Sequence, residues 1–83
     1  MKRIINGKLY NTETATELLQ VSKGVGTAEY LYRKKNGEFF LYLSTCWEGR
    51  KDSIEPIPEK EAKSIIGELD GDLYIEIWGE PEE

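Results

Sequence analysis

Apolar positions crowd most densely between Thr27 and Trp47 (TAEYLYRKKNGEFFLYLSTCW), in two β-rich runs on either side of Asn36-Gly37. Such flanks around Asn-Gly predict a hairpin. A two-residue type I′ loop needs positive φ at both central positions, which Asn-Gly supplies at the least steric cost. That loop sets Lys35 opposite Glu38, Arg33 opposite Phe40, Tyr32 opposite Leu41 and Leu31 opposite Tyr42. Alternation then places Tyr30, Tyr32, Phe39, Leu41 and Leu43 on one face, expected to be core. Leu31, Phe40 and Tyr42 share the other with Glu29, Arg33, Lys35 and Glu38, a mixed face expected to be half covered. The opposite-charge pair Lys35/Glu38, worth roughly 0.2–1 kcal/mol, favours this register over a one-residue slip.

Residues 1–11 repeat the device, with Asn6-Gly7 turning Ile4 onto Leu9 and Ile5 onto Lys8. A two-strand ribbon is marginal alone, so it must join the larger sheet or clamp over a helix, and extension of the sheet is the arrangement expected. From Thr12 the period changes. Ala15, Leu18 and Leu19 fall on one stripe at helical spacing, which predicts a helix over 13–22, with Thr14 and Glu17 spaced as a capping box if it starts late, Asn11 or Thr12 beginning it if it starts earlier, and Ser22–Gly26 as its end. Ser53–Ile57 reads as a short extended segment, an edge strand at best because Pro56 lacks an amide donor. Pro58 opens a helix over 58–69, with Glu59 and Glu61 near its positive end and a stripe of Ala62, Ile65, Ile66 and Leu69 facing the sheet. Gly67 weakens that helix by about 0.5–1 kcal/mol. Asp70-Gly71-Asp72 ends it. Leu73–Trp78 is open on residue pattern alone to a strand or to a short helix capped by Asp70 or Asp72, with Trp78 assigned to the core. An acidic tail follows from about residue 79. The fold class expected is α+β: one domain over 1–83, a small antiparallel sheet of β-hairpins packed against two short helices.

Composition narrows the setting. A chain of 83 residues buries only about 60–65% of its unfolded surface, which makes a homodimer a compatible state. A single cysteine, Cys46, cannot build an internal disulfide, and without histidine the usual Cys/His metal sites cannot form. A reducing cytoplasm fits best. No stretch approaches the ~18 apolar residues of a membrane span, and the opening residues lack the apolar run of a signal peptide, so a soluble protein is expected. The net charge of −5 hides a split. Residues 1–51 hold nine Lys/Arg against five Asp/Glu, and residues 52–83 two against eleven, giving +4 and −9.

Candidate chemistry is sparse. General base work without histidine would fall to a carboxylate, yet Glu59 and Glu61 lie on an open helix face, and Cys46 has no acid–base companion in its strand. Neither a catalytic residue nor a cofactor site is assigned, and Asp70, Asp72 and Glu76 lack the ligand spacing of a calcium loop, so no metal site is assigned either. Binding has more support. Exposed aromatics at Phe40, Tyr42 and Trp47, with the carboxylates Glu59, Glu61, Glu68, Asp70, Asp72 and Glu76, form a candidate surface for a basic partner. The alternative is a small nucleic-acid-binding module in which Arg33, Lys34 and Lys35 at the hairpin tip act with Arg50 and Lys51 on phosphates.

The run Ile4-Ile5-Asn6-Gly7-Lys8-Leu9-Tyr10, the hairpin Tyr32–Tyr42, the segment Ile57–Ala62 and the ending Trp78-Gly79-Glu80 together resemble a group of small phage and mobile-element proteins of Gram-positive bacteria. Small acidic proteins of that setting include anti-CRISPR inhibitors. The resemblance implies a genomic setting and not a reaction. With the +4/−9 split and the sparse catalytic chemistry, the expectation is a non-enzymatic inhibitor whose partner is a host protein, such as a CRISPR effector or another nucleic-acid-binding defence protein. The resemblance also implies a helix for residues 72–78. Pro58, where that group carries a hydroxyl cap, and Leu43–Trp47, where it carries glycines, depart from the pattern.

Overall fold

The computed structural model describes residues 1–81. Glu82 and Glu83, the end of the expected acidic tail, lie outside the described residues. Strands β1 (Lys2–Ile5) and β2 (Lys8–Asn11) form a ribbon. Strands β3 (Thr16–Gly24), β4 (Thr27–Arg33), β5 (Phe39–Thr45) and β6 (Ser53–Ile57) form an antiparallel meander in that order, followed by α1 (Glu59–Leu69) and α2 (Gly71–Trp78). The α+β class stands, and so does a helix at the end of the chain.

The ribbon pairs as its turn requires, Ile4 with Leu9 and Ile5 with Lys8, through Asn6 (φ 52°) and Gly7 (φ 76°). It does not extend the sheet. It is a separate two-stranded unit that covers one sheet face.

The central hairpin is shifted by one residue from its expected register. Arg33 pairs with Phe39, Tyr32 with Phe40, Leu31 with Leu41 and Tyr30 with Tyr42. The Gly37 amide donates to the Lys34 carbonyl at 2.9 Å and the Lys34 amide to the Glu38 carbonyl at 2.7 Å, so three residues, Lys35–Gly37, form the loop. Gly37 (φ 92°) takes the left-handed position while Asn36 keeps negative φ, the geometry of a three-residue loop with a glycine bulge. Asn36 instead accepts from the Glu38 amide at 3.0 Å and donates to its carboxylate at 2.7 Å. A slip of one flips β5 relative to β4. Leu31, Phe39 and Leu41 now face the helices with Ile57, Ala62 and Ile66. Tyr32, Phe40 and Ile54 face the ribbon with Tyr10. Phe40 stacks on Tyr32 at 5.2 Å and meets Tyr10 edge-on at 5.6 Å. Both sheet faces are thus covered, and two small cores replace the single one expected.

The largest correction is at 13–22, where strand β3 stands in place of the helix. Its pairing with β4 slips between Glu17 and Leu19 and again between Gln20 and Ser22, so Leu18 and Val21 are extra residues in the ladder. Each bulge adds one residue to a period of two. Leu18, Leu19 and Val21 therefore pack on one core at a spacing that imitates a helix. Thr14 does not cap; its amide and hydroxyl donate to the Asn11 carbonyl in a turn. β3 ends at Gly24, and Val25-Gly26 turns the chain into β4.

β6 is an edge strand carrying Pro56, as its proline demands. Pro58 occupies the N-cap of α1, and Ala62 and Ile66 are fully buried, whereas Leu69 is 53% exposed. Asp70 serves both helices: its amide donates to the Ile66 carbonyl at 2.8 Å, and its carboxylate accepts from the Leu73 amide at 3.1 Å. Trp78 is half-buried, packed at 5.7 Å from Phe39 and 5.1 Å from Tyr74.

Candidate functional site

The structure sorts the candidate aromatics by availability. Phe40, expected as an exposed anchor, has no exposed surface, because the register shift turns it under the ribbon. Tyr42 is half-buried, and its hydroxyl donates to Asp52 Oδ2 at 2.5 Å, while Asp52 Oδ1 accepts from the Thr45 amide at 2.9 Å. These donors, the tyrosine first, hold the Asp52 carboxyl below its usual range, and the same bond, with burial, pushes the Tyr42 hydroxyl up. Trp47 is about half exposed, but its indole N–H donates to the Val25 carbonyl at 2.7 Å, tying it to the β3–β4 turn.

Gly26 makes that contact feasible. It sits at φ 74°, and a Cβ there would lie 2.8 Å from Trp47 Nε1 and 2.9 Å from Cys46 Sγ. Gly26→Ala is expected to cost about 1–2 kcal/mol from the left-handed backbone alone. The Trp47 indole N–H resonance should shift towards that of a free indole. An unchanged spectrum and unfolding midpoint would contradict the packing.

The basic candidates are not brought together. Arg33, Lys34 and Lys35 stand at one end of the β4–β5 hairpin and Arg50 and Lys51 in the β5–β6 connection at the other, roughly 20 Å away along a seven-residue strand. Lys34 is committed internally, 3.0 Å from a Glu38 carboxylate oxygen and 4.3 Å from the Tyr10 ring centre, and Arg33 lies over Phe39.

A groove of about 530 Å³ beside them is lined by Lys8, Lys34, Lys35 and Glu38 among others. Glu38 pairs with two of these cations, accepting from Lys8 at 2.7 Å and Lys34 at 3.0 Å, and accepts from Asn36 at 2.7 Å as well. Donation from Lys8, then from Asn36 and Lys34, lowers its carboxyl from 4.5 to about 2, and the partnership raises Lys8. A depressed carboxylate contributes stability above its unfolded value, and the contribution is lost as pH falls through the folded one. The expected NMR titration midpoint of the Glu38 side-chain carbonyl is therefore about 2, moving up towards 4.5 in Lys8→Gln. A wild-type midpoint at the ordinary value would mean that the Lys8 contact does not persist in solution.

The acidic candidates fall into two groups. Glu59 and Glu61 stand at the start of α1, where Glu59 lies 3.9 Å from Lys63. Glu68, Asp70, Asp72 and Glu76 gather around the α1–α2 corner, all exposed. From Ser64 to Pro81 the chain holds five acidic residues and no Lys or Arg. Among the described residues none of these five forms an ion pair. Asp70, Asp72 and Glu76 do not converge on a metal position: among the described residues no three His, Cys, Asp or Glu side chains do.

Two residues of this corner escape a sequence reading that treats all apolar positions as core. Leu69 is 53% and Ile75 41% exposed. Once 71–78 is helical, Leu73, Tyr74, Ile77 and Trp78 share the inward face, and Ile75 is left between Asp72 and Glu76 on the outer one. That spacing was the available signal. Among the described residues no helix is long and apolar enough to cross a membrane.

No protein-family model, curated protein or solved structure matches this chain.

Proposed function

We propose that the chain is a non-enzymatic interaction protein of a phage or mobile element, inhibiting a host defence protein by binding it through the α1–α2 corner. The observation that carries this reading is the composition of that corner, where exposed Leu69 and Ile75 are interspersed along the chain with the exposed carboxylates Glu68, Asp70, Asp72 and Glu76, none of which forms an ion pair among the described residues. An apolar centre with a charged rim is the build of a protein-binding surface. Defence proteins that handle nucleic acid present basic grooves, to which an acidic surface is complementary in sign. The resemblance of the hairpin and helix segments to mobile-element proteins supports the setting.

The test compares the tagged chain with a triple variant, Glu68→Lys, Asp72→Lys and Glu76→Lys, which leaves the Asp70 cap in place. Both are used to capture proteins from lysate of Gram-positive cells that carry a CRISPR system, with mass spectrometry as readout. Recovery of a nucleic-acid-binding defence protein by the wild type, lost with the variant, is the expected result. Recovery of no such protein, or equal recovery by both, would overturn the reading.

A further inference from the structure

Resting on that reading, we infer that the corner takes a basic amphipathic segment of its partner, seating one bulky apolar side chain in the groove between α1 and α2. The groove has a volume of about 350 Å³ and is lined by Gly67, Gly71, Asp72, Tyr74, Ile75 and Pro81. Apart from the Asp72 carboxylate, its lining side chains are apolar or aromatic, which suits a hydrocarbon side chain better than a polar metabolite.

Two glycines leave this space open without any local need for glycine. Neither has positive φ. A Cβ built at Gly71 meets nothing within 4 Å, and one at Gly67 meets only the Tyr74 ring at an ordinary 3.7 Å. Glycine inside a helix costs about 0.5–1 kcal/mol relative to alanine. At Gly67 that cost secures no turn and avoids no clash, and what it leaves is the groove. Charge names the occupant. The five carboxylates from Glu68 to Glu80, with no cation among them, call for Lys or Arg beside the apolar anchor. An amphipathic helix supplies both, with apolar anchors along one face and cations flanking them.

The full chain is titrated into a labelled peptide of leucine and lysine at helical spacing, with oligolysine of equal length as the control, and fluorescence anisotropy is read. The leucine–lysine peptide is expected to bind at least about tenfold more tightly than oligolysine, the scale of burying one leucine-sized side chain. Gly67→Leu, which fills the groove from its own side, should abolish that preference while leaving oligolysine binding and the circular dichroism spectrum unchanged. Equal affinity for the two peptides, or an unaltered preference in Gly67→Leu, would overturn the groove and leave the acidic surface standing. Binding of neither peptide would overturn both.

Discussion

Phe40→Ala is expected to lower the stability of the fold by about 3–5 kcal/mol, the range for truncating a fully buried phenylalanine. Phe40 has no exposed surface and sits between Tyr32 and Tyr10, so truncation opens a cavity at a junction between the ribbon and the sheet's aromatic face. A chain of this length has a total stability on the order of 4–12 kcal/mol, so the variant should be close to unfolding at room temperature. Urea titration followed by circular dichroism reads the loss. Leu43→Ala is the control that distinguishes the two registers. With a two-residue turn Leu43 would be core and Phe40 only half covered; in the structure Leu43 is 37% exposed. Its truncation should cost under about 1.5 kcal/mol, below the range for full burial of a leucine. The reverse ranking of the two variants would restore the two-residue turn.

Ile66→Ala tests the opposite face and should cost about 2–5 kcal/mol. Ile66 is fully buried in the cluster of Leu31, Phe39, Leu41, Ile57 and Ala62, with α2 packed against the same cluster through Leu73, Tyr74, Ile77 and Trp78. Alanine is a better helix former than isoleucine, so the backbone of α1 gains slightly and the whole deficit is lost packing. The midpoint in urea should fall with little change in slope, and Trp78 fluorescence should report the same transition. A loss under about 1 kcal/mol would mean that the helices rest on the sheet without a shared core.

The register also decides which aromatic side chains reach the surface. The slip at Lys35–Gly37 places aromatic residues on both sheet faces in contact with a covering layer. It removes Phe40 from the surface, and Tyr42 is half-buried and bonded to Asp52, so of the aromatics expected from sequence Trp47 keeps the most exposed surface. Exposed apolar residues beside acidic residues that form no ion pair among the described residues are found at the helical corner, in Leu69 and Ile75. Its acidic residues were legible from charge counting alone. Its apolar residues were not, because Leu69 and Ile75 look like core until the direction of each helix face is known.

By itself the sequence determined the elements whose causes are local. Asn6-Gly7 closes a two-residue turn, Pro56 keeps β6 at an edge, and the Ala62/Ile66 stripe buries one side of α1. The segregation of negative charge into the last third of the chain belongs here too. Only the tertiary structure decided between readings that lie within about one kcal/mol of each other in local energy. Asn-Gly fits a two-residue loop and a three-residue loop alike, and coverage of both sheet faces chose the second at Asn36-Gly37. Leu18, Leu19 and Val21 fit a helix stripe or a strand with two bulges, and pairing with β4 chose the strand. The physical reason is the same in each case: burial of apolar surface against a distant segment outweighs turn and helix preferences of a few tenths to one kcal/mol.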